Sequence, residues 1–282
     1  MQRAREVWRT AYEDEGFVVV RDLLDAATVS GLREGMGRIT GNLEALPSHL
    51  KEKIFLERDH VKNNLRWYTG ILTPDDCGTA VRQIADLGLF DPGFARLIGH
   101  PPLLDVLETL FASSEFSFMY MTGRPQVARV GNGISDGAFQ RNAQFLRATS
   151  INAVTVILCL DDMTDDNSAV SFIRGSHKIP DSEAADPHGR GAPADSANAG
   201  DTVRVNCRAG SGIFLSAKVL NAIGHNRSDH PCRTVHCEWA GPSVLPITPD
   251  RCAYQGVRPR SRDALYRQQM RMTFPDGMVS PQ

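Results

Sequence analysis

The chain has no C-x-x-C pair. Its six cysteines, Cys77, Cys159, Cys207, Cys232, Cys237 and Cys252, are scattered through 282 residues. Such spacing offers neither a zinc ribbon nor a dithiol redox motif, and it reads as isolated thiols in a reducing compartment rather than a disulfide framework. A surplus of one charge is lacking as well. With 31 Lys and Arg against 33 Asp and Glu, the net charge is −2 and the pI near 6.4. No basic stripe stands out for a nucleic-acid backbone or an anionic membrane surface. The short run Arg258-Pro259-Arg260-Ser261-Arg262 reads as a solvated face. No long apolar run opens the chain: Met1 to Glu6 leads straight into an amphipathic helical pattern, which argues against a secretion signal or a membrane span and for the cytoplasm. Neither repeats nor a second domain is evident, so residues 1–282 are read as one domain.

What the chain does contain is an ordered series of local signals. Residues 1 to about 15 read as a helix closed by Gly16, with a strand from Phe17 to Arg21; Asp25 then caps a helix running to about Ile39. Residues about 45–115 look helical, broken at Pro47, Pro74, Pro92 and Pro101-Pro102. Phe116 to Arg124 and Asn152 to Cys159 are β-rich. Residues about 180–200, rich in Ala, Asp, Pro and Gly, read as a mobile loop, either a lid or a tolerated surface insertion.

Several of these segments carry a recognisable order. They are Glu15-Gly16-Phe17-Val18-Val19-Val20-Arg21-Asp22-Leu23-Leu24, His100-Pro101-Pro102-Leu103-Leu104-Asp105, the hairpin from Asn167 to Lys178, the late strand Gly210-Ser211-Gly212-Ile213-Phe214, and Asn226 to Arg233 beyond it. Together they resemble the phytanoyl-CoA dioxygenase-like branch of the iron(II)/2-oxoglutarate oxygenases. The resemblance implies a mainly β fold with flanking helices, a double-stranded β-helix (jelly-roll, cupin-like) barrel. It also implies an H-x-D motif, a second His, and an Arg about a dozen residues further on that pairs with 2-oxoglutarate.

Counting back from Asn167 puts the H-x-D positions at Phe139 and Arg141, with Gln140 between them, and counting on from Gly210 puts the second His at Asn221. On this reading all three ligands are replaced. Two imidazoles and a carboxylate hold Fe(II) on one face, whereas Phe139 has no lone pair and Arg141 sets a permanent cation where the metal would lie. The expected metal and cofactor content is therefore none. Arg233 matches the 2-oxoglutarate arginine and Arg124-Pro125 a basic-residue-Pro pair, while Ile223 stands where the family often has Ser. Arg233 reads equally as an anion anchor and as an ion pair kept for folding.

Function must then follow from what fills the barrel. Strand parity puts Phe139 and Arg141 on one face, inward if the ligand positions keep their orientation, and Tyr120, Thr122 and Arg124 on one face of a neighbouring strand. Of the remaining histidines, His236 is expected to point out if Arg233 points in, and His177 to be structural. The inferred pocket uses Arg141, Asn221 and Tyr120 catalytically, and Phe139, Arg124, Thr122, Arg233 and Ile223 to bind an anionic or carbonyl-bearing small molecule. Tyr120 is its only titratable group able to trade a proton. Such a pocket fits orientation and charge stabilisation, as in a non-oxidative cyclisation, cycloaddition, rearrangement or isomerisation of a natural-product intermediate. Two alternatives stand beside it: a non-catalytic small-acid-binding or scaffold protein, and an iron dioxygenase with relocated ligands.

Overall fold

The computed structural model describes residues 2–63, 72–130, 139–180 apart from 145 and 147, 201–247 and 252–273. Helix α1 (Gln2–Glu15) ends at Gly16, whose φ of +87° is a backbone state that favours glycine, and β1 (Phe17–Val20) follows. A Cβ on Gly16 would lie 2.5 Å from Nδ1 of His177, so the close approach needs glycine too. Asp25 caps α2 (Ala26–Gly41), its carboxylate accepting from the Thr28 amide at 2.7 Å. Both elements agree with the sequence reading.

The 45–115 segment is not purely helical. Besides the short helices α3 (Ser48–Lys51), α4 (Glu57–Asn63) and α5 (Pro92–Ala95) and the longer α6 (Pro101–Phe111), it contributes two strands, β2 (Ile54–Leu56) and β3 (Val81–Ala85). They pair antiparallel and extend the main sheet through β4 (Ser117–Arg124). Proline breaks keep the helices short, and the intervening apolar runs find hydrogen bonds at a sheet edge. Residues 181–200, read as a mobile loop, fall outside the described residues.

The remaining strands are β5 (Gln140–Arg141), β6 (Ala153–Cys159), β7 (Val170–Ile173), β8 (Thr202–Val205), β9 (Gly212–Ser216), β10 (Leu220–Ile223) and β11 (Thr234–Ala240), before the late helix α7 (Ala264–Thr273). They form two antiparallel sheets, ordered β1-β9-β6-β11-β4-β3-β2 and β5-β10-β7-β8. This is the two-sheet jelly-roll architecture, mainly β with flanking helices.

Strands β1, β6 and β9 of the large sheet are largely apolar on both sides because both sides are covered. Val156, Phe214, Val235, Cys237 and Trp239 pack outward against Met36, Phe94, Leu103 and Leu107 of the helical layer. Phe17, Ile157, Ile213 and Leu215 pack inward against Val170 and Phe172 of the small sheet, with Phe17 and Phe172 stacked at 4.2 Å between ring centroids. Each such buried side chain contributes about 1.5–3 kcal/mol. All six cysteines are buried and unpaired in disulfides. Among the described residues no helix is long and apolar enough to cross a membrane.

Candidate active site

The inward face of the large sheet turns polar toward one end. Register fixes which side chains share it: Arg124 pairs Thr234, Thr122 pairs His236 and Tyr120 pairs Glu238. On the far side of β11 the same rows continue to Cys159, Ile157 and Thr155. Cross-strand partners lie on one side of a sheet, so Tyr120, Thr122 and Arg124 lie inward, as the sequence implied, and His236 and Glu238 join them. The expectation that His236 points out is thus corrected. It rested on Arg233, which precedes β11 and does not share the inward row.

Tyr120, Arg124, His236 and Glu238 face the interior, and each keeps part of its surface accessible. Burial first, then Arg82, pushes the Arg124 guanidinium down to about 10, against the pull of Glu57, Tyr120 and Glu238. Its Nε is buried with no hydrogen-bond partner among the described residues. Burial first, then Arg124, holds His236 well below the ordinary imidazole range. His60 of α4 is pushed down to about 4 by burial, then by Arg82 and Arg124. Both imidazoles are therefore neutral at pH 7, beside a guanidinium that remains charged.

On the small sheet the register departs from the sequence reading by one residue. Asn221 pairs Gln140 and Leu220 pairs Arg141, while Asn221 also pairs Phe172 of the inward stack. Gln140 and Asn221 therefore face inward, and Phe139 and Arg141 face outward with Leu220, Ala222 and Ile173. Because the side-chain period of a strand is two, a shift of one inverts every assignment. Arg141 is 4% exposed and donates from Nη2 to the carbonyls of Ser176 and Ile179, both at 2.9 Å. It clamps the turn after β7 and supplies no charge to the interior. Phe139 fills the apolar cluster beside it.

The inward row continues through Asn142. Nδ2 of Asn221 donates to the Gln140 carbonyl at 3.1 Å, to Oδ1 of Asn142 at 3.3 Å and to the Val219 carbonyl at 3.3 Å. Asn142 in turn donates to Oγ1 of Thr155 on β6 at 2.9 Å, which ties the two sheets together. Asn221, only 2% exposed, thus stitches strands instead of presenting a donor to a ligand. Ile223 pairs Val170, faces inward and remains partly accessible, as a pocket wall requires.

Arg233 is engaged elsewhere. Its Nε and Nη2 meet the Asp161 carboxylate at 2.7 and 2.9 Å, and its backbone amide donates to the same group at 2.8 Å. Arg33 approaches Asp161 at 3.0 Å from α2. Of the two sequence readings for Arg233, this bidentate pair is the folding contact, and the anion-anchor role is corrected.

The phytanoyl-CoA dioxygenase family model matches residues 12–235. The chain belongs to the phytanoyl-CoA dioxygenase (PhyH) family. Dioxygenase cdmA of Talaromyces verruculosus is 23% identical over 239 residues, 78% of this chain and 70% of its own. Among solved structures, the epimerase SnoN, in complex with Fe3+, alpha-ketoglutarate and nogalamycin RO, superposes with a TM-score of 0.65 at 20% identity over 88% of both chains. The alpha-ketoglutarate-dependent carbocyclase SnoK from nogalamycin biosynthesis does so with a TM-score of 0.66 at 14% identity over 87% of both.

Membership of the PhyH family implies iron(II), and the inward donors do not fit it. Gln140, Asn142 and Asn221 are amides, with no imidazole or carboxylate among them. Nor do other donors converge: among the described residues no three His, Cys, Asp or Glu side chains are grouped to hold a metal, His60, His236 and Glu238 included. What the interior offers is a guanidinium, neutral imidazole, phenol and carboxylate on one wall, facing amides and Ile223 on the other.

Proposed function

We propose that this PhyH-family protein is a metal-independent tailoring enzyme that catalyses a non-oxidative isomerisation, rearrangement or cyclisation of an anionic or carbonyl-bearing small molecule. One observation carries the reading. The inward wall holds Arg124 and a neutral His236, while the inward positions of β5 and β10 hold amides bonded to one another. A preorganised guanidinium in a partly dry cavity stabilises developing negative charge, and a neutral imidazole accepts a proton, so the wall has the two groups that such reactions need. The epimerase and carbocyclase neighbours of nogalamycin biosynthesis support a natural-product role for this scaffold.

The test is metal analysis after reconstitution with Fe(II), together with conversion of an enolisable carbonyl compound in EDTA without oxygen. The expected result is far less than stoichiometric iron and undiminished conversion. Stoichiometric iron with consumption of 2-oxoglutarate overturns the proposal.

A further inference from the structure

We propose that Arg124 and His236 form an enolisation site, in which Arg124 holds the oxygen of a carbonyl substrate and His236 removes the proton from its α-carbon. The inference rests on the metal-independent reading and deepens it by naming the substrate class and the base.

Three observations place the pair. His236 lies opposite Thr122, and Arg124 opposite Thr234, so the two are diagonal neighbours on one face. Oγ1 of Thr234 lies 3.1 Å from Nε2 of His236. When Thr234 accepts from Nε2–H, Nδ1 is left as the basic nitrogen, and among the described residues Nδ1 has no hydrogen-bond partner. Nε of Arg124 is likewise without a partner, although buried. On the inward face, beside an imidazole with an open nitrogen, a ligand oxygen can supply the missing acceptor. Tyr120 and Glu238 occupy the adjoining row, and both already carry other interactions.

The step balances without a co-reactant. The α C–H bond breaks and an N–H bond forms at Nδ1; the electron pair becomes the enolate, whose oxygen faces the guanidinium. Return of the proton from Nδ1 to a conjugated carbon on the same face gives the isomer and restores neutral imidazole. The neighbouring guanidinium opposes an imidazolium until the enolate charge offsets it, so proton transfer and enolate formation are coupled.

Two probes separate the roles in the purified full chain with EDTA. Binding of the 1,3-indanedione enolate is followed by titration calorimetry, and α-deuteration of α-tetralone in D2O by proton NMR. The wild type is expected to bind the enolate and to accelerate exchange over buffer. Arg124→Met should weaken binding at least about tenfold and slow exchange about a hundredfold. His236→Gln should leave binding within about threefold and slow exchange about a hundredfold. If Arg124→Met does not fold, Arg124→Gln keeps polar bulk without charge and carries the same expectation. The proposal is overturned if the wild type does not accelerate exchange, if the charge-neutral variant binds as wild type does, or if Glu238→Gln abolishes exchange while His236→Gln retains it. Iron-dependent consumption of 2-oxoglutarate would instead sink the metal-independent reading, which these EDTA measurements do not address.

Discussion

Arg124 and Arg141 sit in facing sheets of the same protein and meet opposite surroundings. Arg141 lies on the outer side of the small sheet, 4% exposed, with two carbonyls of one turn as acceptors. Arg124 lies on the inner side of the large sheet, partly accessible, with a buried Nε that no described residue satisfies. A guanidinium surrounded by backbone acceptors holds structure together; one that lacks acceptors in a cavity is available to a ligand. Burial alone does not tell these apart. Which face of a strand a residue occupies, and whether backbone carbonyls already hold its terminal nitrogens, does.

Rebuilding a metal site offers the largest expected contrast between the faces. Gln140→His, Asn142→Asp and Asn221→His together should create stoichiometric Co(II) binding, read by its visible absorption. Phe139→His and Arg141→Asp with the same Asn221→His should give none and should destabilise the fold. Equal metal binding by both sets would void the register assigned to β5.

Removing each arginine alone sharpens the same comparison. Arg141→Met should cost about 3 kcal/mol in chemical denaturation, because two turn carbonyls lose a charged donor inside the protein. Arg124→Met should change stability by less than about 1 kcal/mol, since relief of desolvation offsets lost contacts. The reverse ranking would exchange the two roles.

Acid probes the inner wall next. His60 and His236 are held neutral in the fold but bind protons near 6.5 once unfolded. The unfolded chain thus takes up more protons below that pH, and stability falls as pH drops through it. For His60 the loss runs down to about 4. Each contributes at most about 1.4 kcal/mol per pH unit, less for His60, which solvent partly screens. Denaturation midpoints measured between pH 7 and 5 should fall, and His236→Gln should flatten that slope, whereas Arg141→Met should not. The smallest effect is expected at Arg233→Met. Loss of its part-exposed pair with Asp161 should cost about 1 kcal/mol and leave binding of the indanedione enolate unchanged.

Much of the fold was legible because its signals are local or ordered along the chain. The Asp25 cap, the Gly16 stop and the apolar runs of β4 and β6 each act within a few residues, and the order of the hairpin and late strand implied the two-sheet jelly-roll. The site was harder to read. Tyr120, Thr122 and Arg124 share a face by simple alternation within one long strand, and that inference held. Gln140 and Arg141 form a two-residue strand with too little alternation to declare a face, so spacing alone points to Phe139 and Arg141, whereas pairing with β10 turns Gln140 inward. Parity counted from Arg233 does not reach His236, because Arg233 lies outside β11. The outward alternation of Val235, Cys237 and Trp239 carried the right phase, although it is blurred in a sheet covered on both sides.

The turn that Arg141 clamps has a further consequence. The amide of Gly175 donates to the Glu15 carbonyl at 3.0 Å and that of Leu220 to the Ser176 hydroxyl at 2.9 Å, while a ring nitrogen of His177 lies 3.1 Å from the Glu13 carbonyl. The end of α1, the turn and the β5–β10 pair are thus bound through one short segment, which couples their opening. In native-state hydrogen exchange the amides of Gly175 and Leu220 should share one opening free energy. The N-terminal helix would then set how often the inward amides of β5 and β10 come undone.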